Sequence, residues 1–424
     1  MTLTIHPGTV NGNVVAAPSK SYTHRAFFLG LLSDGTTRVL EALLSEDTRA
    51  TLQAVEALGA LVERTESIDI TSDGSVRTPE NVIDCLNSGT TLRLVSAIAS
   101  LAPGSAVLTG DASLRKRPMK PLLDALASVG VRAESTRDNG CAPVVVHGPL
   151  RGGKTMLPGD VSSQFVSALL LAGTRTANGI DIHIQGELKS RPYVDITREM
   201  VEDFGGRIEE PTRGHFHAPG DQRLKAREYR VPGDYSTAAF PLCAGALAGE
   251  VTVRNLTLRS AQGDRAIVDH LKAFGAEVRA TEAGVTARRA DLHGTRIDLS
   301  DTPDAFPVLC AVASHAPGET VLFGAKHLRL KESDRIAVMV ANLKRLGVDC
   351  DEREDGAVIR GGKVRGGKGL VTEGDHRILM ALAVCALRAE GPIELDDHEA
   401  YRVSYPSFVE DFQRLGVRME VRPA

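Results

Sequence analysis

The chain has 424 residues, enough for two or three domains with ample core. A net charge of −4 gives no general attraction to nucleic acid or membrane, and no Trp with 4% aromatics leaves no base-stacking platform. None of the six cysteines forms a CxxC pair, no histidines have HxxxH spacing, and no 18-residue apolar run occurs. No charged start leads into an apolar stretch, and Cys243, Cys310 and Cys385 fall within apolar helical runs. The expectation is a cytoplasmic protein whose anion binding comes from local clusters.

In chain order, the strand-like Thr2 to Ile5 comes first, followed by six helices that are apolar all round. Each opens on a polar or acidic start: Ser19-Lys20-Ser21, Thr90-Thr91, Ser162-Ser163-Gln164, Tyr235-Ser236-Thr237, Asp304-Ala305 and Asp375-His376-Arg377. The starts are 71, 72, 73, 69 and 71 residues apart. A helix with no polar face must be buried on every side, and its free N–H groups bind anions. Between these runs, six amphipathic segments stop at Gly59, Gly130, Gly205, Gly275, Gly347 and Gly416, spaced 71, 75, 70, 72 and 69. Glycine just past a helix is the left-handed stop, and the alternating stretches that follow, such as 276–279 and 417–421, read as strands.

Each unit of about 70 residues therefore holds one buried helix, one amphipathic helix and several strands, an α/β organisation repeated six times. From Asp375 onward only 50 residues remain, and the 18 before the first buried helix bring the last unit to full length. The expected division is two domains of three units each, 19–233 and 1–18 with 234–424. The stretch from Pro211 to Asp234, rich in Pro, Gly and Arg, is expected at the second crossing. A site in the cleft between halves joined twice is expected to close around its ligand.

Several clusters carry chemistry. Ser21 and Arg25 lie four apart on one helix face with Lys20 at the start, a grip for phosphate or carboxylate. A capped helix with solvated charges is the plainer reading, but Ala26-Phe27-Phe28-Leu29 argues for burial. Asn87 to Arg93 combines a cap, a glycine that permits close backbone approach and an arginine one turn on. Arg115 to Pro118 alone reads as an exposed basic loop. At Leu328 to Arg335 the expectation is a helix whose face shares Lys331 and Arg335, with Glu332 and Asp334 beside them. Asp304 and Glu332 are candidate acid–base groups, with a helix cap and a surface ion pair as equal alternatives on the residues alone. The glycine-rich 362–369 is not a phosphate loop, because Gly369 stands where Ser or Thr is needed and no helix follows.

Taken together, these segments resemble the enolpyruvyl transferases, and within them the EPSP synthase family, over essentially the whole chain. Eight ordered motifs carry it: Pro-Ser-Lys-Ser at 18–21, Leu-Asn-Ser-Gly-Thr-Thr-Leu-Arg at 86–93, Arg-Pro at 117–118, Ser-Ser-Gln-Phe at 162–165, Ser-Arg-Pro-Tyr at 190–193, Asp-Thr-Pro-Asp at 301–304, Leu-Lys-Glu-Ser-Asp-Arg at 330–335 and Asp-His-Arg at 375–377. The resemblance implies an inside-out fold, with sheets outside and helices within, and an acceptor-binding first domain. It implies transfer of the enolpyruvyl group of phosphoenolpyruvate to the 5-hydroxyl of shikimate 3-phosphate, releasing phosphate through a tetrahedral ketal.

Carried over by motif, Lys20, Ser21, Arg25, Ser162, Ser163, Gln164, Ser190, Tyr193, Asp304, His327 and Lys331 would hold shikimate 3-phosphate. His327 stands where the family often has Asn. Lys20, Asn87, Gly89, Arg117, Gln164, Arg335 and Arg377 would surround phosphoenolpyruvate. Asp304, Glu332 and Lys20 would be catalytic. One departure is Val403, where some members carry a lysine reaching the second substrate; Arg402 beside it would point elsewhere on an extended segment. No cofactor and no metal are expected, and the partners are two small-molecule substrates of a monomeric enzyme.

Two other readings stand beside this one. The sister family that takes UDP-N-acetylglucosamine typically has Asn after its first lysine, and Cys or Asp in a mobile loop. Here Ser21 follows Lys20, and 112–120 holds neither Cys nor Asp. A non-catalytic anion-binding scaffold would need neither Asp304 nor Glu332.

Overall fold

The computed structural model describes residues 1–160 and 162–422. The chain forms two compact units, Pro18–Val231 and Met1–Ala17 with Pro232–Ala424. In the first lie α1 (Lys20–Leu32), α2 (Glu46–Ala57), α3 (Gly89–Ala99), α4 (Lys120–Ser128), α5 (Ser163–Gly173) and α6 (Pro192–Asp203). In the second lie α7 (Tyr235–Ala248), α8 (Ile267–Ala273), α9 (Phe306–His315), α10 (Arg335–Arg345), α11 (His376–Ala386) and α12 (Phe408–Arg414).

The odd-numbered helices are the apolar ones and form the interior. Every residue of α7 and of α11 is buried. In the first unit α3 packs on α5, and in the second α9 packs on α11. Burying a side chain such as Phe240 or Leu379 contributes about 1.5–3 kcal/mol, so a helix sealed on all sides is held by packing rather than propensity. The even-numbered helices keep a polar face, and each stops at its expected glycine, with φ between 79° and 108°.

The sheets share one plan. Around α3, Ile83–Asp84 and Ser105–Thr109 pair in parallel, and Val144–His147 then Arg132–Ser135 add antiparallel. Where the chain crosses between units, the plan is kept by exchange. Val10–Val15, which leads to α1, lies parallel to Gly249–Arg254, and Glu228–Arg230, which leads to α7, lies parallel to Ser33–Leu40. The first strand, Thr2–Ile5, sits antiparallel between Ile393–Leu395 and Met419–Arg422 and fills the last sheet.

The chain crosses between the units a second time at Val231–Pro232, within the stretch Pro211 to Asp234, which also carries the strand His215–Ala218, paired with Ile180–Gln185 and burying Phe216 and Ala218 on one face. Two local expectations need correction. Lys331 to Asp334 is not helical. The Asp334 carboxylate accepts the Ala337 N–H at 3.0 Å and caps α10, so the helix opens only at Arg335 and Lys331 does not share its face. Arg402 lies on the short 3₁₀ turn Ala400–Val403 rather than an extended segment, and pairs with Glu399 at 3.3 Å.

Candidate active site

The residues expected at the site fall into two constellations, one on each unit. In Pro18–Val231, Lys20 opens α1 and its Nζ lies 2.9 Å from Asp47 Oδ2 on α2. Arg25, one turn on, is buried and braced by protein groups. Its Nε donates to Thr197 Oγ1 at 2.8 Å, Nη1 to the Ser21 carbonyl at 2.9 Å, and Nη2 to the Tyr193 carbonyl at 2.9 Å and Ser167 Oγ at 3.2 Å. Burial lowers the guanidinium to about 10, so it stays charged at neutral pH. Arg25 thus ties the start of α1 to α5 and α6, which carry Ser163, Gln164 and Tyr193.

At the start of α3 the structure gathers cations around backbone N–H groups. The Ser88 hydroxyl caps this end by accepting the Thr91 N–H at 3.1 Å. Arg117 Nη2 donates to Asn87 Oδ1 at 2.5 Å, and Asn87 Nδ2 donates to Asp111 Oδ2 at 2.6 Å. Arg93 Nη1 donates to Gln164 Oε1 at 2.6 Å, while Gln164 Nε2 donates to Thr90 Oγ1 at 2.9 Å. A Cβ on Gly89 would stand 3.0 Å from Arg117 Nη1 and 3.5 Å from Arg93 Nη1. The missing side chain is what lets two guanidinium groups approach one helix start.

Ser162 caps α5, its hydroxyl accepting the Gln164 N–H at 3.3 Å. Ser190 sits in the left-handed region at φ 53°, a conformation that costs a non-glycine residue about 1 kcal/mol or more and that recurs at binding sites. Its carbonyl accepts the Tyr193 N–H at 3.2 Å, which starts α6.

In the other unit, charges are concentrated around Asp304, on the 3₁₀ turn Pro303–Ala305. Its Oδ1 lies 2.9 Å from Arg335 Nη1 and 3.7 Å from Lys331 Nζ, and its Oδ2 lies 3.3 Å from Arg377 Nη2. Arg335 also donates from Nη2 to Glu332 Oε2 at 2.7 Å and from Nε to Asp375 Oδ2 at 2.7 Å. One guanidinium therefore holds three carboxylates. Burial works against the charge on Asp304, but Arg377, Lys331 and Arg335 overcome it and keep the carboxyl well below its usual range. Arg377 also donates from Nη2 to Ser236 Oγ at 2.8 Å. His327 lies on the adjoining 3₁₀ turn Lys326–Leu330.

Several groups that contact the expected residues were not among those expected at the site. Asp375 and Ser236 lie at helix starts that the repeat marks, and Arg93 closes a motif read for its arginine but not given a substrate. Asp47 lies on the outer helix α2, where no spacing singles it out. Among the described residues, no three His, Cys, Asp or Glu side chains are grouped to hold a metal ion, and no helix is long and apolar enough to cross a membrane.

Residues 5–412 match the family described as EPSP synthase (3-phosphoshikimate 1-carboxyvinyltransferase). The chain belongs to the EPSP synthase family. It is 48% identical over 427 residues to the 3-phosphoshikimate 1-carboxyvinyltransferase of Halobacterium salinarum, covering 98% of this chain and 99% of that one. It is also 48% identical over 424 residues to the Methanothrix thermoacetophila protein of the same name, with 99% of each chain covered. The solved EPSP synthase of Acinetobacter baumannii superposes with a TM-score of 0.83 at 32% identity, over the whole of both chains. The inside-out α/β fold of six repeats is that of EPSP synthases.

Proposed function

We propose a residue-level account of the family's reaction. That reaction moves the enolpyruvyl group of phosphoenolpyruvate onto shikimate 3-phosphate, in the pathway to aromatic amino acids, and this chain carries it out. The observation that supports the account best is the single guanidinium of Arg335, which holds Asp304 on one terminal nitrogen and Glu332 on the other.

Two substrates bring two phosphates and two carboxylates, whose mutual repulsion must be offset. In this account Lys20, Asn87, Gly89, Arg117, Gln164, Arg335 and Arg377 receive phosphoenolpyruvate. Lys20, Ser21, Arg25, Ser162, Ser163, Gln164, Ser190, Tyr193, Asp304, His327 and Lys331 receive shikimate 3-phosphate. Fixed cations and helix starts of this kind stabilise developing charge without having to reorganise.

The 5-hydroxyl oxygen attacks C2 of phosphoenolpyruvate and its proton passes to Asp304, while Glu332 protonates C3. The product of this step is a tetrahedral ketal. Glu332 then removes a proton from the new methyl group, the C2–O bond to phosphate breaks, and phosphate leaves beside Lys20 with the proton that Asp304 had taken, so both carboxyls return to their starting state. In the free protein Asp304 is a weak base, because three cations hold its charge. An anion that competes for Arg335 and Arg377 draws those donors away and raises its basicity, so the base is strengthened when phosphoenolpyruvate is present.

Phosphate release measured with shikimate 3-phosphate and with UDP-N-acetylglucosamine tests the acceptor; turnover with only the latter would overturn the assignment. The same proposal has both constellations serving one substrate pair, in a cytoplasmic monomer. Arg117→Ala in one and Arg377→Ala in the other should each raise KM for phosphoenolpyruvate, and an effect confined to one variant would refute sharing.

A further inference from the structure

Behind the start of α3 runs a line of buried polar groups that the chemistry described so far does not use. His24 on α1, Thr51 on α2 and Thr91 on α3 are sealed from solvent, as is the capping Ser88. His24 Nδ1 lies 2.6 Å from Thr51 Oγ1, which lies 2.7 Å from Thr91 Oγ1, and Thr91 Oγ1 lies 2.7 Å from Ser88 Oγ. Short, continuous bonds of this kind join three helices through their interior, and such a fully paired line is what makes buried polar groups rigid rather than costly.

Counting protons gives the line a direction. Ser88 Oγ accepts the Thr91 N–H as the cap of α3, and it also accepts the Thr91 hydroxyl. A hydroxyl has one proton to give, so Thr91 receives that of Thr51, and Thr51 has none left for the imidazole. His24 Nδ1 therefore carries the proton and donates it to Thr51. The other ring nitrogen, Nε2, is then a bare acceptor, and it is the one that meets no hydrogen-bond partner among the described residues. Burial first, then Lys20 and Arg25, hold the imidazole well below its usual value, so it stays neutral in this one tautomer.

The line is tied to Lys20 twice. His24 lies four residues after Lys20, on the same face of α1. Asp47, in the first turn of α2, takes Lys20 Nζ on its carboxylate at 2.9 Å. Its carbonyl oxygen lies 3.2 Å from Thr91 Oγ1 and 3.4 Å from Thr51 Oγ1, longer branches of the same network. Lys20 and the helix start at Gly89, where Arg117 approaches, are thus joined across one turn of α2.

We propose that His24 and Thr51 are positioning residues for phosphoenolpyruvate: sealed behind the site, they fix the start of α3 relative to Lys20, so that the ammonium and the helix start at Gly89 form one preorganised anion site. This rests on the reading that Lys20, Gly89 and Arg117 receive phosphoenolpyruvate. Donors already held in place need no ordering when the anion arrives, and loosening them weakens binding without touching the reacting atoms.

Thr51→Val tests this, because valine keeps the volume and branching of threonine and removes both the proton and the acceptor. KM for phosphoenolpyruvate, at saturating shikimate 3-phosphate, should rise about fivefold to tenfold, while kcat and KM for shikimate 3-phosphate change by less than about twofold. Thr51→Ser restores the hydroxyl and should return KM to within about twofold of wild type. An unchanged KM in Thr51→Val, an equal rise for both substrates, or a serine variant as impaired as the valine one would overturn the proposal. If Thr51→Val does not fold, nitrogen-15 NMR of the His24 ring in the wild-type protein decides. The ring should be neutral and protonated on Nδ1, and its resonances should move when phosphoenolpyruvate is added to the shikimate 3-phosphate complex. A proton on Nε2, or resonances indifferent to phosphoenolpyruvate, would overturn it. Arg117→Ala separates this failure from failure of the underlying reading: if it leaves KM for phosphoenolpyruvate unaltered, the start of α3 does not receive that substrate at all.

Discussion

Arg335 donates from Nε to the Asp375 carboxylate at 2.7 Å, and both side chains are sealed from solvent. Burial alone would lower the arginine, but Asp375, Glu332 and Asp304 more than offset it and fix its charge. Asp375 also caps α11, accepting the Arg377 N–H at 2.9 Å. Asn caps a helix as well as Asp does, so Asp375→Asn keeps the cap while replacing the charged oxygen that accepts from Arg335 Nε and Ser333 Oγ with an N–H₂ donor. Breaking a buried pair by neutralising one partner costs about 3–5 kcal/mol, reduced here because Asp304 and Glu332 remain. A loss of about 2–3 kcal/mol in urea unfolding is expected, with KM for phosphoenolpyruvate raised as Arg335 loosens. A loss below about 0.5 kcal/mol would show that Asp375 does not anchor the arginine.

Gly89→Ala tests the helix start in the other unit. The added Cβ would stand 3.0 Å from Arg117 Nη1, tighter than an ordinary contact, while the nearest Arg93 atom is 3.5 Å away. Arg117 is the end of a flexible side chain, so it should shift by a few tenths of an ångström and partly lose its 2.5 Å bond to Asn87. KM for phosphoenolpyruvate should rise about fivefold, the value of roughly one weakened hydrogen bond, with a smaller effect on shikimate 3-phosphate. Equal effects on both substrates would place Arg117 elsewhere in the reaction.

The depressed carboxyl of Asp304 makes a pH prediction. A carboxylate held below its unfolded value stabilises the fold above that unfolded value, near 3.8, and loses the contribution as pH falls through the folded one. Asp304→Asn should therefore lower stability by about 1.5–3 kcal/mol at pH 5. The gap should close only below about pH 4. Unfolding titrations of both proteins from pH 5 downward check it, and a gap already lost at pH 5 would contradict the depressed carboxyl.

The repeat was legible in the sequence because two independent signals shared one period. Helices such as α7 and α11 carry no polar face, and Gly59 or Gly347 marks where each outer helix ends. The exchange of strands at the crossings also left a trace, in the short final unit that Thr2–Ile5 completes. What was not legible came from groups whose role depends on distant partners. Arg25 reads as a buried anion grip, but nothing near it in the chain shows that Thr197 and Tyr193, far along the sequence, hold it. Lys331 and Arg335 read as one helix face because the spacing is helical; the Asp334 cap, a local competitor for the same N–H groups, delays the helix. The strand His215–Ala218 was hidden by Gly214 and Pro219, which sit at its ends.

Glu332→Gln isolates the carbon acid–base. Glu332 lies on the non-helical lead to α10, with its Oε2 2.7 Å from Arg335 Nη2. Gln is nearly isosteric and still accepts from that nitrogen, so substrate binding should survive. It does not exchange a proton with carbon, so both protonation of the methylene and its reversal should slow by about 10²-fold or more. The measurement is incorporation of deuterium from heavy water into phosphoenolpyruvate, with both substrates present. Asp304→Asn provides the contrast: it should slow overall turnover by a similar factor while leaving C3 chemistry its own donor. If Glu332→Gln exchanges at the wild-type rate, the carbon acid–base is another group, and the pairing of Asp304 and Glu332 on Arg335 serves charge alone.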